Sequence, residues 1–256
     1  MKIRALHPML CAFNLIWLLH PVAATAQTPL PAEQAGSHPA VQLSPLAQQL
    51  AQCGEDAAGL RARLQLILAH IAQSPASYHV DGLTVPNLDL VPITVEQGDG
   101  RHLGGAQWAA SNTIVKFRMS FFTAALPPAG GQHGPLLREI TLTDTLVHEL
   151  AHCFFYSRYP KLAKVQQGTP LTICEGHAIH AARTFIQQHY FGTTPMPANY
   201  YEGTLLSPRY ARLYRAFRAL YLDADGHILW HKVDSAELRH SPAGYTLRNR
   251  VQESGD

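Results

Sequence analysis

From Pro45 onward apolar residues recur at helical spacing, through Leu46, Leu50, Leu60, Leu64, Ile67, Leu68 and Ile71. The pattern predicts one or two amphipathic packing helices, broken near Cys53-Gly54 and ended by Ser74-Pro75. Between Tyr78 and Thr123 the period changes. Short apolar or β-branched runs, Leu88 to Val95 and Asn112 to Phe117, are separated by turn signals at Asp81-Gly82, Gly98-Asp99-Gly100 and Gly104-Gly105. They predict a small twisted sheet of roughly three to five strands, with Pro92 confining the first run to an edge or a bulge.

A loop rich in proline and glycine, from Pro127 to Pro135, leads into the next helix. Thr141 as N-cap and Asp144 three residues on give that helix a capping box, although the helix-averse Thr141, Thr143 and Thr145 also fit a later start. Pro160 stops it. Its apolar positions Leu146, Val147, Leu150, Ala151 and Phe154 span a wide arc, the pattern of a helix buried against both a sheet and another helix. After a polar connection, Thr169 as N-cap and Pro170 open a second long helix, running to about His189 with Gly192 beyond its end. Glu175 shares a face of that helix with Ala178, Ala182 and Phe185, and Gly176 lies alongside, so a neighbour can approach closely. A third helix is predicted from Pro208 to Leu222, then a turn at Asp223-Ala224-Asp225-Gly226 and a short strand or helix. The fold class is therefore α+β, with the sheet before the long central helix and a helical C-terminal part.

The first residues have a different texture. Lys2 and Arg4 precede an apolar stretch from Met9 to Leu19, and Ala24-Thr25-Ala26 has the small-residue form of a cleavage site. Residues 1–26 read as a signal peptide and 27–43 as a Pro-, Ala- and Gln-rich linker; 44–240 read as one catalytic domain and 241–256 as a polar tail. Asn14 and His20 interrupt an apolar run already short for a membrane span, and Met9-Leu10 do not suit a lipoprotein site at Cys11. The expected location is secreted or periplasmic, with no membrane span after cleavage. The chain carries 20 Lys+Arg against 18 Asp+Glu, and loss of Lys2 and Arg4 makes the remainder formally neutral. With no basic stripe, nucleic acid is not an expected partner. Cys53, Cys153 and Cys174 remain, an odd number that in an oxidising compartment gives one bridge and a spare thiol, or a partner outside the chain.

The candidate chemistry lies on the central helix. His148, Glu149 and His152 form H-E-x-x-H, with the two imidazoles four residues apart and so on one helix face. They can bind one metal ion, with Glu149 about a quarter turn round and within reach of the ion's water. Zinc hydrolysis needs a Lewis acid that lowers the pKa of water and a base to take the proton. A catalytic zinc usually has three protein ligands, and Glu175 on the following helix is the candidate third. Thr172-Ile173-Cys174-Glu175 also fits a capping box; were Glu175 a cap, His177 or His180 would replace it as ligand. Among 15 histidines the motif also arises by accident, leaving His148 and His152 as ordinary core or surface residues.

In Thr145-Leu146-Val147-His148-Glu149-Leu150-Ala151-His152 and Glu175-Gly176-His177-Ala178, the chain resembles the gluzincins, zinc metallopeptidases with H-E-x-x-H on one helix and a glutamate ligand on the next. The resemblance covers Glu139 to Arg183 and implies a zincin-like fold whose antiparallel edge strand binds extended peptide; Asn112 to Arg118 is the candidate edge. Many gluzincins carry an aspartate four residues after the ligand glutamate to orient the first histidine; here Ile179 stands there, which leaves another carboxylate or a backbone carbonyl for that task, Asp144 being one candidate although it points towards the helix start. Phe155 and Arg158 occupy the positions where a metzincin needs glycine and a third histidine. If the two ligand helices converge, Cys153 and Cys174 come near each other and a bridge between them is one outcome. Tyr200, Tyr201, His177, His180 and Arg209 are candidate oxyanion or substrate donors. Asp223 and Asp225 lack the rest of a calcium loop and read as a solvated turn.

The expected function is an exported, monomeric, zinc-dependent peptidase acting on peptide or protein substrates, with Glu149 as general base and His148, His152 and Glu175 as metal ligands. The alternatives are a peptidoglycan peptide hydrolase with the same site and a non-catalytic zinc-binding zincin module.

Overall fold

A computed structural model of the chain describes residues 41–240 apart from 84–90, 99–102, 111–114, 129, 131–133, 164–166, 197–200 and 202–204. The expected signal peptide, almost all of the linker, the polar tail and Tyr200 lie outside the described residues. The architecture is α+β, mostly helical, with one three-stranded sheet. Among the described residues no helix is long and apolar enough to cross a membrane.

The first two helices, α1 (Pro45–Gln52) and α2 (Ala57–Gln73), break where Cys53-Gly54 predicts. Ser44 caps α1 by accepting the Ala47 N–H at 3.1 Å, and Asp56 caps α2 by accepting that of Gly59 at 2.7 Å. A Cβ on Gly59 would lie 2.3 Å from the Gly54 carbonyl oxygen, so the corner closes only around glycine. Arg63 secures it. Its guanidinium donates to the carbonyls of Gly54 and Cys53 and, through Nη1, to both carboxylate oxygens of Glu139 at 2.7 and 2.9 Å.

Strands β1 (Ile93–Glu96), β2 (Gly104–Ala110) and β3 (Val115–Phe122) form a sheet of order β1-β3-β2. β1 runs parallel to β3 with Ile93 opposite Met119, and β2 runs antiparallel with Ala106 opposite Met119. Pro92 lies just before an edge strand, as a residue without an N–H requires. Of the expected edge at Asn112 to Arg118, residues 112–114 lie outside the described residues and Val115–Arg118 pair with β2 alone, β1 joining β3 only from Met119 to Phe122; β2 is the antiparallel outer strand. Gly104-Gly105, which read as a turn, begins that strand. The reason is steric, because a Cβ on Gly104 would lie 2.9 Å from Thr145 Cγ2 of the central helix.

That helix, α3 (Gly134–Arg158), begins well before Thr141 and ends before Pro160. Thr141 and Asp144 are therefore interior residues and form no capping box. The threonine hydroxyls turn back to backbone carbonyls one turn earlier, Thr141 to Leu137 at 2.7 Å and Thr145 to Thr141 at 2.8 Å, which satisfies them inside a helix. From Ile140 to Tyr156 every α3 residue except His148 is buried, because β2, α2 and α5 (Gly168–Ile186) pack around it. The short helix α4 (Pro160–Ala163) links α3 to α5. A π-helical turn (Gln187–Phe191) continues α5 to Gly192, whose φ of 57° suits a glycine stop.

Two more helices complete the C-terminal part, α6 (Pro208–Tyr221) and α7 (Trp230–Arg239). α6 starts at Pro208 as predicted, with Ser207 as its N-cap, and the Asp223–Gly226 turn is followed by an isolated Leu222–Ile228 bridge and then the helix. Ala151 of α3 packs against Ala178 and Ala181 of α5, three small side chains that let the two helices lie close. On the other side of α5, Phe217 of α6 fills the space above Gly176.

Candidate metal centre

His148, Glu149 and His152 come from the middle of α3, and Glu175 comes from the second turn of α5. The Thr172 hydroxyl donates to the Gly168 carbonyl at 3.2 Å inside α5, so the capping-box reading of Thr172 to Glu175 does not hold. Helix phase and the alanine contact together aim the Glu175 carboxylate at α3. His148 Nε2 and His152 Nε2 are 3.1 Å apart, and Glu175 Oε2 lies 3.4 Å from the first and 3.6 Å from the second. His152 and Glu175 are buried while His148 is partly open, so the cluster is reached from the His148 side.

This triangle fits a metal ion. Ligand atoms about 2.0–2.1 Å from one tetrahedral ion stand roughly 3.3 Å apart, and the three observed separations bracket that value. Among the described residues Glu175 Oε2 is buried with no hydrogen-bond partner, although two imidazole nitrogens face it. A buried carboxylate oxygen left in that position is satisfied by a cation on the same spot.

The electrostatics agree. Burial pushes the Glu175 carboxyl up, but the His152 and His148 imidazoles outweigh it and hold the group at about 2. Burial pushes His148 down, and the adjacent Glu175 carboxylate, with the charges of Glu149 and Asp144, overrides this to bring it to about 9. Glu149 is raised, chiefly by burial, against the lowering effect of His148 and His152 and of the nearby Ala106 backbone of β2. Three buried carboxylates thus surround two imidazoles, an environment that favours positive charge.

Asp144 lies one turn before His148. Burial raises its pKa to about 6, against the opposing Tyr201 hydrogen bond and the charge of His148. The Tyr201 hydroxyl lies 2.7 Å from Asp144 Oδ1 and 3.3 Å from the carbonyl of Ile179. A carboxylate one turn earlier on α3, braced by Tyr201, therefore stands near His148, where the residue at 179 supplies none.

Several expected donors are placed elsewhere. Tyr201 is buried and bound to Asp144, so it is no oxyanion donor. His180 uses both ring nitrogens, Nε2 donating to the Gly226 carbonyl at 3.0 Å and Nδ1 accepting from the Tyr214 hydroxyl at 3.1 Å. His177 donates from Nε2 to the His79 carbonyl at 2.9 Å and packs on Phe155 and Trp230, away from the Glu175 face. Cys153 and Cys174 are free, so the expected bridge is absent; both thiols are buried and protonated, and the Tyr156 phenol lies near each. The exposed Asp223, Asp225 and His227 bring three possible donor atoms within 4.8 Å of one another. Asp223 Oδ1 is already engaged by the N–H groups of Asp225 and His227, at 2.9 and 2.8 Å, which makes it the brace of a turn.

Two aromatic residues near the cluster escape a reading based on motifs. Tyr210, in the first turn of α6, sets its ring at 88° to His148 with centroids 6.3 Å apart. Burial and then the charges of Glu175 and Glu149 raise its phenol well above the ordinary range. The available signal was the inward phase of Tyr210 with Tyr214, Phe217 and Tyr221 after Ser207-Pro208. Tyr156 stacks on His152 from the following turn of α3, at 5.1 Å and 16°. No family model, no curated protein and no solved structure matches this chain.

Proposed function

We propose that the chain is a zinc-dependent peptidase of the gluzincin type, exported on the strength of residues 1–26. The observation that carries this reading is the triangle of His148 Nε2, His152 Nε2 and Glu175 Oε2, with edges of 3.1, 3.4 and 3.6 Å and Glu149 in the same buried cluster. Two imidazoles and one carboxylate at tetrahedral spacing are the donor set of a catalytic zinc. When bound, zinc supplies Lewis acidity, lowering the pKa of water and polarising a carbonyl.

The chain's own residues do the rest. Glu149 accepts the proton of the attacking water and returns it to the leaving nitrogen as the peptide bond breaks. Its raised pKa suits a base that must release the proton again. Tyr210, held protonated by its buried setting, donates a hydrogen bond to the carbonyl oxygen as negative charge develops there. Asp144, braced by Tyr201, keeps negative charge beside His148.

The test is cleavage of a peptide library by the zinc-loaded protein, with and without a chelator. The expected result is chelator-sensitive hydrolysis of internal peptide bonds. A protein that binds one zinc and cleaves no peptide would leave a binding module instead.

A further inference from the structure

Tyr156 follows His152 by four residues on α3, so the two side chains meet on one helix face. Their rings lie within 16° of parallel with centroids 5.1 Å apart, while His148 meets the same imidazole edge-on at 83° and 4.7 Å. His152 Nε2 points at His148 Nε2 and Glu175 Oε2. Its other nitrogen, Nδ1, is buried and meets no protein hydrogen-bond partner among the described residues.

That combination is unusual for a ligand histidine. When Nε2 binds an ion, Nδ1 carries the proton, and a carboxylate, carbonyl or water normally accepts it and so fixes the rotation of the ring. Among the described residues no carboxylate or carbonyl gives His152 this lock, and what lies against its faces bears directly on its rotation about Cβ–Cγ. Tyr156 is itself buried and so holds a defined position there.

We propose that Tyr156 is a positioning residue of the metal centre, whose stacked ring, in place of a hydrogen bond, holds the His152 imidazole in the plane that aims Nε2 at the ion. The proposal rests on the reading of His148, His152 and Glu175 as metal ligands. It makes the aromatic plane the necessary feature. Phenylalanine can serve, and a flexible aliphatic side chain that fills similar space cannot, because it leaves the imidazole free to turn.

The experiment measures zinc affinity by competition with a chromophoric chelator, and visible absorption of the cobalt-substituted protein, for the full chain and for Tyr156→Phe, Tyr156→Leu and Tyr156→Met. Thermal unfolding of each metal-free protein reports folding separately. Tyr156→Phe is expected to keep the affinity within about twofold and the cobalt spectrum intact. Tyr156→Leu and Tyr156→Met are expected to lose roughly 10–100-fold in affinity, the range for removal of a ligand-orienting contact, with weaker and shifted cobalt bands. Unchanged affinity and spectrum in the folded Leu and Met variants would overturn the proposal. So would an equal loss in Tyr156→Phe, which would assign the effect to the hydroxyl. Failure of the unaltered protein to bind zinc or cobalt would remove the metal centre itself and this proposal with it.

Discussion

Phe217 packs so closely on Gly176 that a Cβ added to the glycine would lie 2.2 Å from the phenylalanine side chain. This contact seats α6 on α5 one residue beyond Glu175, and α6 in turn carries Tyr210 to the ring of His148. Glycine at 176 thus serves the site through packing. Gly176→Ala is expected to force the helices apart and to destabilise the protein by about 1–3 kcal/mol, the usual effect of overpacking a core. Chemical denaturation would check it, and a variant as stable as the parent would mean that α6 yields easily.

Tyr210→Phe removes the one hydroxyl proposed to meet the developing charge and leaves the ring in place. Peptide turnover is expected to fall about 10²–10³-fold, as for loss of an oxyanion donor, with zinc content unchanged. Steady-state kinetics on a peptide substrate would check it. An unaltered kcat would take Tyr210 out of the mechanism.

The Arg63 guanidinium joins the α1–α2 corner to α3 through Glu139, and its side chain is only 3 % exposed. Glu139→Ala would leave that cation buried without its partner. The expected destabilisation is about 3–5 kcal/mol, as for other broken buried pairs. Thermal or urea unfolding would read it, and a small effect would place water in the pocket.

Stability should fall in acid through histidines outside the metal centre. Burial, with nearby histidine charges, lowers His79 to about 4, His180 to about 3 and His189 to about 4, against an ordinary value of 6.5. Between pH 6.5 and 4 the unfolded chain therefore binds more protons at these positions than the folded one, and stability decreases as pH decreases. Above 6.5 the contribution is complete. Urea titrations of chelator-treated protein across this window should show a falling midpoint, and His189→Gln should reduce the slope. A midpoint independent of pH would contradict the assignment.

The residues whose chemistry is local were legible in the sequence. His148, Glu149 and His152 follow from helical phase alone. The face of Glu175 follows from the small residues around it, and the start of α6 at Pro208 follows from proline's place in a first helical turn. Features that depend on a distant partner were not legible. The start of α3 moved from Thr141 to Gly134 because burial on several sides overrides the poor helix propensity of three threonines whose hydroxyls bond within the helix. The strand from Gly104 was hidden because that glycine answers to Thr145 across the sheet–helix contact. Tyr210 and Tyr201 are alike as sequence, and only packing separates the one near His148 from the one that braces Asp144.

The most direct test of the account is Glu149→Gln, read by two measurements on one sample: metal content and peptide hydrolysis. The amide keeps the size of the side chain and lacks the basicity, while His148, His152 and Glu175 are untouched. The account predicts one zinc per chain, as in the unaltered protein, with turnover lower by about 10²–10⁴-fold, the usual share of a general base. Undiminished hydrolysis by the zinc-loaded variant would contradict it.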